Sequence, residues 1–195
     1  MEQRYDNLSV DVKKIIIENV DDGNGEYREN VSAYDLLTEI GVKSSEMPNY
    51  ENDINTLRCT KTFCIKGFEV NIVLQCTIGT GHLCGYVVKY TGDTEWMDKD
   101  KYNSITNETF ILDNVDELYK PHGGFTHTCG FDCHHFDDIG IFDEITENKI
   151  NRLFKTNKLS SYGFLKNKKS FKSVKFVKHE LNNIVDSLIK FLSKH

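Results

Sequence analysis

The sequence predicts an α+β fold: one domain over residues 1–195, with a mostly antiparallel central sheet and an amphipathic C-terminal helix packed on it. Three observations predict it. From Asn55 to Tyr90, β-branched and aromatic residues run in strand-length stretches separated by Lys66-Gly67 and by Gly79-Thr80-Gly81. From Lys178 to Lys194, Leu181, Ile184, Val185, Leu188, Ile189 and Leu192 recur at three- and four-residue steps. No internal repeat or low-complexity segment interrupts the 195 residues, a length that suits one domain with a full core. Within it, residues 55–195 hold the motifs, and residues 1–54 form an N-terminal part without them.

Each element follows from its local chemistry. Ile15 to Ile17 reads as a strand or short helix, ended by the turn signal Asp21-Asp22-Gly23-Asn24-Gly25-Glu26. Ser32 to Gly41 reads as a helix: Ser32 caps the first amides, Leu36, Leu37 and Ile40 give an apolar face, and Gly41 ends it. Thr56 to Ile65 and Phe68 to Ile78 read as a hairpin, and His82 to Tyr90 as the next strand. The Gly79-Thr80-Gly81 break lacks the spacing of a phosphate loop and is expected to make a tight turn that points His82 outward. Residues 91–121 are polar, apart from a strand candidate at Glu108–Leu112 and a helical turn at Asn114–Tyr119. Glu144 to Thr156 is a helix candidate, Ser170 to Val177 a strand, and Lys178 to Lys194 the clearest helix.

Composition narrows the function classes. The formal net charge of −6 disfavours a general binder of duplex nucleic acid. No apolar run reaches the roughly 18 residues of a membrane span, and Met1 to Lys14 is polar and acidic where a leader is basic and apolar. A cytoplasmic protein is expected. In a reducing cytosol the six cysteines read as buried thiols, metal ligands or a nucleophile rather than as bridges. Cys64 and Cys76, in strand-like runs, are expected in the core. Charge is uneven, with a basic run from Lys155 to Lys178. It reads as a solvated face or as a surface attracting a phosphate-bearing ligand or an acidic partner.

Function concentrates between His122 and Asp138, which hold His122, His127, His134 and His135, Cys129 and Cys133, and Asp132, Asp137 and Asp138, with glycines at 123, 124 and 130. A second piece, Gly79 to Val88, adds His82 and Cys84. The pieces Gly81-His82-Leu83-Cys84-Gly85-Tyr86-Val87, His122-Gly123-Gly124-Phe125-Thr126 and Gly130-Phe131-Asp132-Cys133-His134-His135, with Asp138, resemble the motifs of a family of small phage and bacterial proteins. The closing segment from Ser173 to Leu192 is similar to that family's aromatic-Val pair, acidic residue and amphipathic helix, so the likeness runs from Gly81 to Leu192. It implies a compact domain of mobile-element origin and names no reaction. The family has a small residue in place of His134 and bulky aromatics in place of Thr128 and Cys129. The resemblance therefore lends no support to Cys129, His134 or His127.

Three chemistries fit these residues. Cys129, Cys133 and His135 have zinc-ligand spacing, but Cys129 falls outside the resemblance. A metal site of His82, His122, Asp132, His135 and Asp138, holding zinc or another divalent ion and leaving a position for water, fits better. In the covalent reading, Cys133 is the nucleophile, His82, His122 or His135 the base, Asp132 or Asp138 its orienter, and the amides of Gly123 and Gly124 the oxyanion donors. In the third reading the protein binds a nucleotide-like molecule, or blocks a host protein complex as a counter-defence factor, without catalysis. Tyr86, Trp96 and Phe125 would then stack on a base, and Lys166, Lys168 and Lys169 meet phosphates. Against all three stands the plain structural reading: a buried thiol at Cys133, a turn cap at Asp132, satisfied histidines. The leading expectation is a hydrolase-like enzyme on a small phosphorylated or nucleotide-derived substrate. His82, His122, Asp132, Cys133 and His135 are expected to converge at the ends of adjacent strands.

Overall fold

The structure, a computed structural model, describes residues 8–25, 27–28, 30–77, 79–92, 116–126, 129–135, 137–154 and 170–194. The strand candidate at Glu108–Leu112, Trp96, His127 and Lys166 to Lys169 lie outside them.

A four-stranded antiparallel sheet forms the centre, in the order β5 (Arg58–Ile65), β6 (Phe68–Gln75), β7 (His82–Tyr90) and β8 (Gly130–Asp132). The β5–β6 hairpin closes on Lys66 and Gly67, both at positive φ (49° and 85°). Two such residues match the right-handed twist of the flanking strands, which is why so short a connection suffices. Along β6 every second residue, Phe68, Val70, Ile72 and Leu74, is buried. The period of two puts one face of the sheet on the core.

That face is covered by the C-terminal helix, here called α4 (Val174–Leu192). Val177, Leu181, Ile184, Val185 and Leu188 are fully buried along it. Gly85 of β7 allows the close approach: a Cβ there would lie 2.6 Å from the ring of Phe131 and 2.9 Å from Val177. The helix starts earlier than the periodicity predicts. Ser173 caps it, its hydroxyl accepting from the Phe176 amide at 3.2 Å and donating to Asp22 at 2.7 Å. The strand expected over 170–177 is reduced to β9 (Phe171–Lys172), because the apolar stripe already begins at Val174.

β9 pairs in parallel with β2 (Val20–Asp21), which also pairs with β3 (Tyr27–Arg28). A second small ladder joins β1 (Ile16–Ile17) to β4 (Val31–Ser32) and leads into α1 (Ala33–Ile40). Ser32 accepts from the Asp35 amide at 3.1 Å, and Gly41 at φ 111° ends the helix. The short helix α2 (Glu51–Ile54) precedes β5, and α3 (Asp143–Phe154) follows the histidine-rich segment. Apolar residues from Val12 to Leu57 and from Phe68 to Leu192 join one core cluster.

Two expectations are corrected. Cys76 is buried, but Cys64 is exposed, since alternation along β5 puts it on the outer face with Thr60 and Thr62. His82 does not point outward: it is only 5% exposed. Among the described residues no helix is long and apolar enough to cross a membrane.

Candidate functional site

Three segments meet beside the core: the turn around His122, the stretch after β8, and β9. Asp138 lies at their junction, 2% exposed and bridged to Ser170 next to β9. His122 Nε2 lies 2.9 and 3.1 Å from its two oxygens, and the His135 amide donates to Oδ2 at 3.0 Å. Lys172 Nζ stands 4.0 Å from Oδ1 and donates to Asp21 at 3.0 Å. Burial works against a charged Asp138. The hydrogen bonds from His122 and His135, with the charges of His122 and Lys172, outweigh it and hold the carboxyl below its ordinary range.

His122 is placed by α4. Its backbone amide donates to Glu180 Oε2 at 2.7 Å, and the Tyr119 hydroxyl donates to the other oxygen at 2.9 Å. Ser187, two turns on, accepts from the Tyr119 amide at 2.7 Å. The His122 ring meets Phe176 edge-on at 5.4 Å and His135 at 5.0 Å. Ring nitrogens of His122 and His135 and an oxygen of Asp138 fall within 4.8 Å of one another.

Gly123 is what admits His135. A Cβ at Gly123, which sits at φ 69°, would lie 1.6 Å from His135 Nε2. That nitrogen is buried and has no hydrogen-bond partner among the described residues; Asp132 Oδ1 stands 3.9 Å away. Asp132 also accepts from the His134 amide at 3.0 Å, a local turn that turns the chain back toward Asp138. His134 stacks on His82, with centroids 4.4 Å apart and planes 9° from parallel. Buried His82 Nδ1 likewise lacks a partner among the described residues. Burial first, then the charge of His134, lowers the His82 pKa to about 4, although Asp132, Asp138 and Asp143 pull it up. His82 is therefore a neutral imidazole at neutral pH.

The structure thus gathers His122, His135 and Asp138 tightly, sets Asp132 beside them and joins His82 through His134. Cys133 is close in chain but wrong in state. It is 2% exposed, its amide donates to Leu83 O, and burial above all, reinforced by Asp138, pushes its thiol well above the ordinary value. A nucleophilic cysteine needs a stabilised thiolate, so Cys133 is a core residue and the covalent reading loses its attacking group. Cys129 and Cys84 are buried thiols too, pushed up to about 12 and about 11 by burial. The Gly124 amide is committed to Pro121 O at 2.8 Å and is no oxyanion donor. Tyr86 packs over Gly130, where a Cβ would lie 2.3 Å from its ring, and burial raises its hydroxyl to about 12. Phe125 is half-buried against the core.

Glu180, Lys172 and Asp21 were missed from sequence. One signal was available: Glu180 falls on the buried face of the final helix, three residues after Val177 and four before Ile184. An acid there calls for a partner. No protein-family model, curated protein or solved structure matches the chain.

Proposed function

We propose that this protein is a hydrolase-like enzyme acting on a small phosphorylated or nucleotide-derived compound in the cytosol of a host cell. We also propose that it belongs with the small phage and bacterial proteins its motifs resemble. The observation that carries the reading is the His122–Asp138 pair, a buried carboxylate holding an imidazole at 2.9 Å with His135 alongside. A carboxylate that orients an imidazole beside other polar groups is a water-activating arrangement. In the proposed reaction the oxygen of water bonds to phosphorus and the phosphoester P–O bond breaks. The bonding pair leaves with the departing oxygen. A site imidazole or Asp132 takes the proton from water and returns it to that oxygen.

The test uses a panel of cyclic and linear nucleotides, with and without added divalent metal, followed by chromatography. Turnover is expected to fall by about 10²-fold or more in His122→Ala and His135→Ala, the scale of losing an acid–base group or a ligand of the site, while both variants remain folded. Unchanged nucleotides with tight, reversible retention of one of them would replace the enzyme by a sequestering protein. Neither turnover nor retention would leave an inhibitor of a host protein complex.

A further inference from the structure

The charges around His122 are at odds with a phosphorylated substrate meeting this site unaided. Asp138 pairs with the His122 ring, Asp132 stands 3.9 Å from the His135 ring, Glu180 holds the His122 backbone amide, and Lys172, the ammonium beside Asp138, is already paired with Asp21. A phosphate would face carboxylates of its own sign. A bound dication removes the conflict, because it satisfies the carboxylates and presents positive charge to the substrate.

We infer that His122, His135 and Asp138 form a mononuclear site for a first-row divalent transition-metal ion. Its catalytic purpose rests on the hydrolase reading; the binding itself rests on geometry. Donors held about 2.0–2.2 Å from one ion at adjacent coordination positions stand about 3 Å apart. His122 Nε2 and the Asp138 oxygens, joined by a hydrogen bond whose proton an ion would displace, stand 2.9 and 3.1 Å apart, and one ring nitrogen of each histidine and an Asp138 oxygen lie within 4.8 Å of one another. His135 supplies what a hydrogen-bonded cluster does not: a buried Nε2 with no hydrogen-bond partner among the described residues. The edge of the ring carrying that nitrogen occupies the space where any side chain at 123 would begin, 1.6 Å from the ideal Cβ. Glycine there makes room for a ligand.

The donors are also held from behind. Glu180 grips the His122 amide, and the His135 amide donates to Asp138, so the trio is oriented before an ion arrives. Two imidazoles and one carboxylate suit zinc, cobalt, manganese or ferrous iron. Calcium and magnesium favour all-oxygen shells. Three protein donors leave positions for water and a substrate oxygen. Asp132, 3.9 Å from His135, is left as the proton acceptor.

Tag-free protein stripped with a chelator is titrated with zinc chloride and cobalt chloride, by calorimetry and visible absorption. One ion per chain is expected, with cobalt bands that zinc abolishes. His122→Ala, His135→Ala and Asp138→Asn should each weaken uptake by more than the about 10–100-fold typical of changes behind the ligands. Imidazole resonances of the wild-type protein cover the case of a variant that fails to fold. Zinc should shift His122 and His135, whereas shifts confined to His179 and His195, or no saturable uptake, would overturn the site. Calcium or magnesium outcompeting zinc would overturn the class of ion. One-to-one zinc uptake without turnover supports the site and removes the hydrolase; turnover that survives the chelator does the reverse.

Discussion

The helix α4 serves two regions in opposite ways. Its apolar stripe covers the sheet through Val177, Leu181, Ile184, Val185 and Leu188, none more than 1% exposed. A few ångströms of arc away, Glu180 and Ser187 hold the Tyr119–His122 segment through directed hydrogen bonds. The first contact is a sum over many atoms, so its energy scales with area and tolerates isosteric exchange. The second depends on single atoms at fixed positions, so one substitution removes a specific orientation. Area-dependent packing and directed hydrogen bonding are thereby separated on one helix.

The separation can be broken first at its apolar side. Leu188→Ala is expected to cost on the order of 2–5 kcal/mol, read as the urea midpoint, because the side chain is fully buried. The turnover proposed above should stay unchanged per folded molecule. A loss well under that range would mean that the helix is not the sheet's main cover.

A smaller effect belongs to the polar side and depends on pH. The folded-state pKa of His82 is about 4, below the ordinary 6.5, so on acidification the unfolded chain takes up the proton first. The contribution is therefore complete above pH 6.5 and is lost as pH falls from 6.5 toward 4. It amounts to on the order of 3 kcal/mol as an upper bound. His82→Gln should flatten the acid limb of stability against pH in that window; an unchanged limb would place the titration elsewhere.

The smallest effects sharpen the contrast between buried and exposed pairs. Lys172, 12% exposed and bonded to Asp21 and Ser170, should cost about 1–3 kcal/mol as Lys172→Met, since it leaves polar partners unsatisfied. Lys89→Met breaks a pair with Glu69 whose lysine is 53% exposed, and should cost about 0–1 kcal/mol. Equal costs in thermal unfolding would contradict the picture of a specifically wired polar region.

The α+β class, the 32–41 helix, the Lys66-Gly67 hairpin and the buried stripe of α4 were legible in the chain. Each depends on periodicity or turn chemistry within a few residues. His122, His135 and Asp138 were legible as ligand-type residues for the same local reason. Their mutual distances were not, nor was the demotion of Cys133 from nucleophile to core, because a thiol's ionisation depends on what surrounds it in space. The glycines beside His82 point to an outward-facing side chain, whereas tertiary packing buries it against His134. The start of α4 at Val174 was hidden because Phe171 pairs with Val20, a residue about 150 positions earlier. Glu180, Lys172 and Asp21 came from such long-range pairing too. Local periodicity and residue chemistry fix which segments can form elements and which side chains can react. Which of them meet is set by packing, since desolvation and hydrogen-bond geometry come from neighbours distant in the chain.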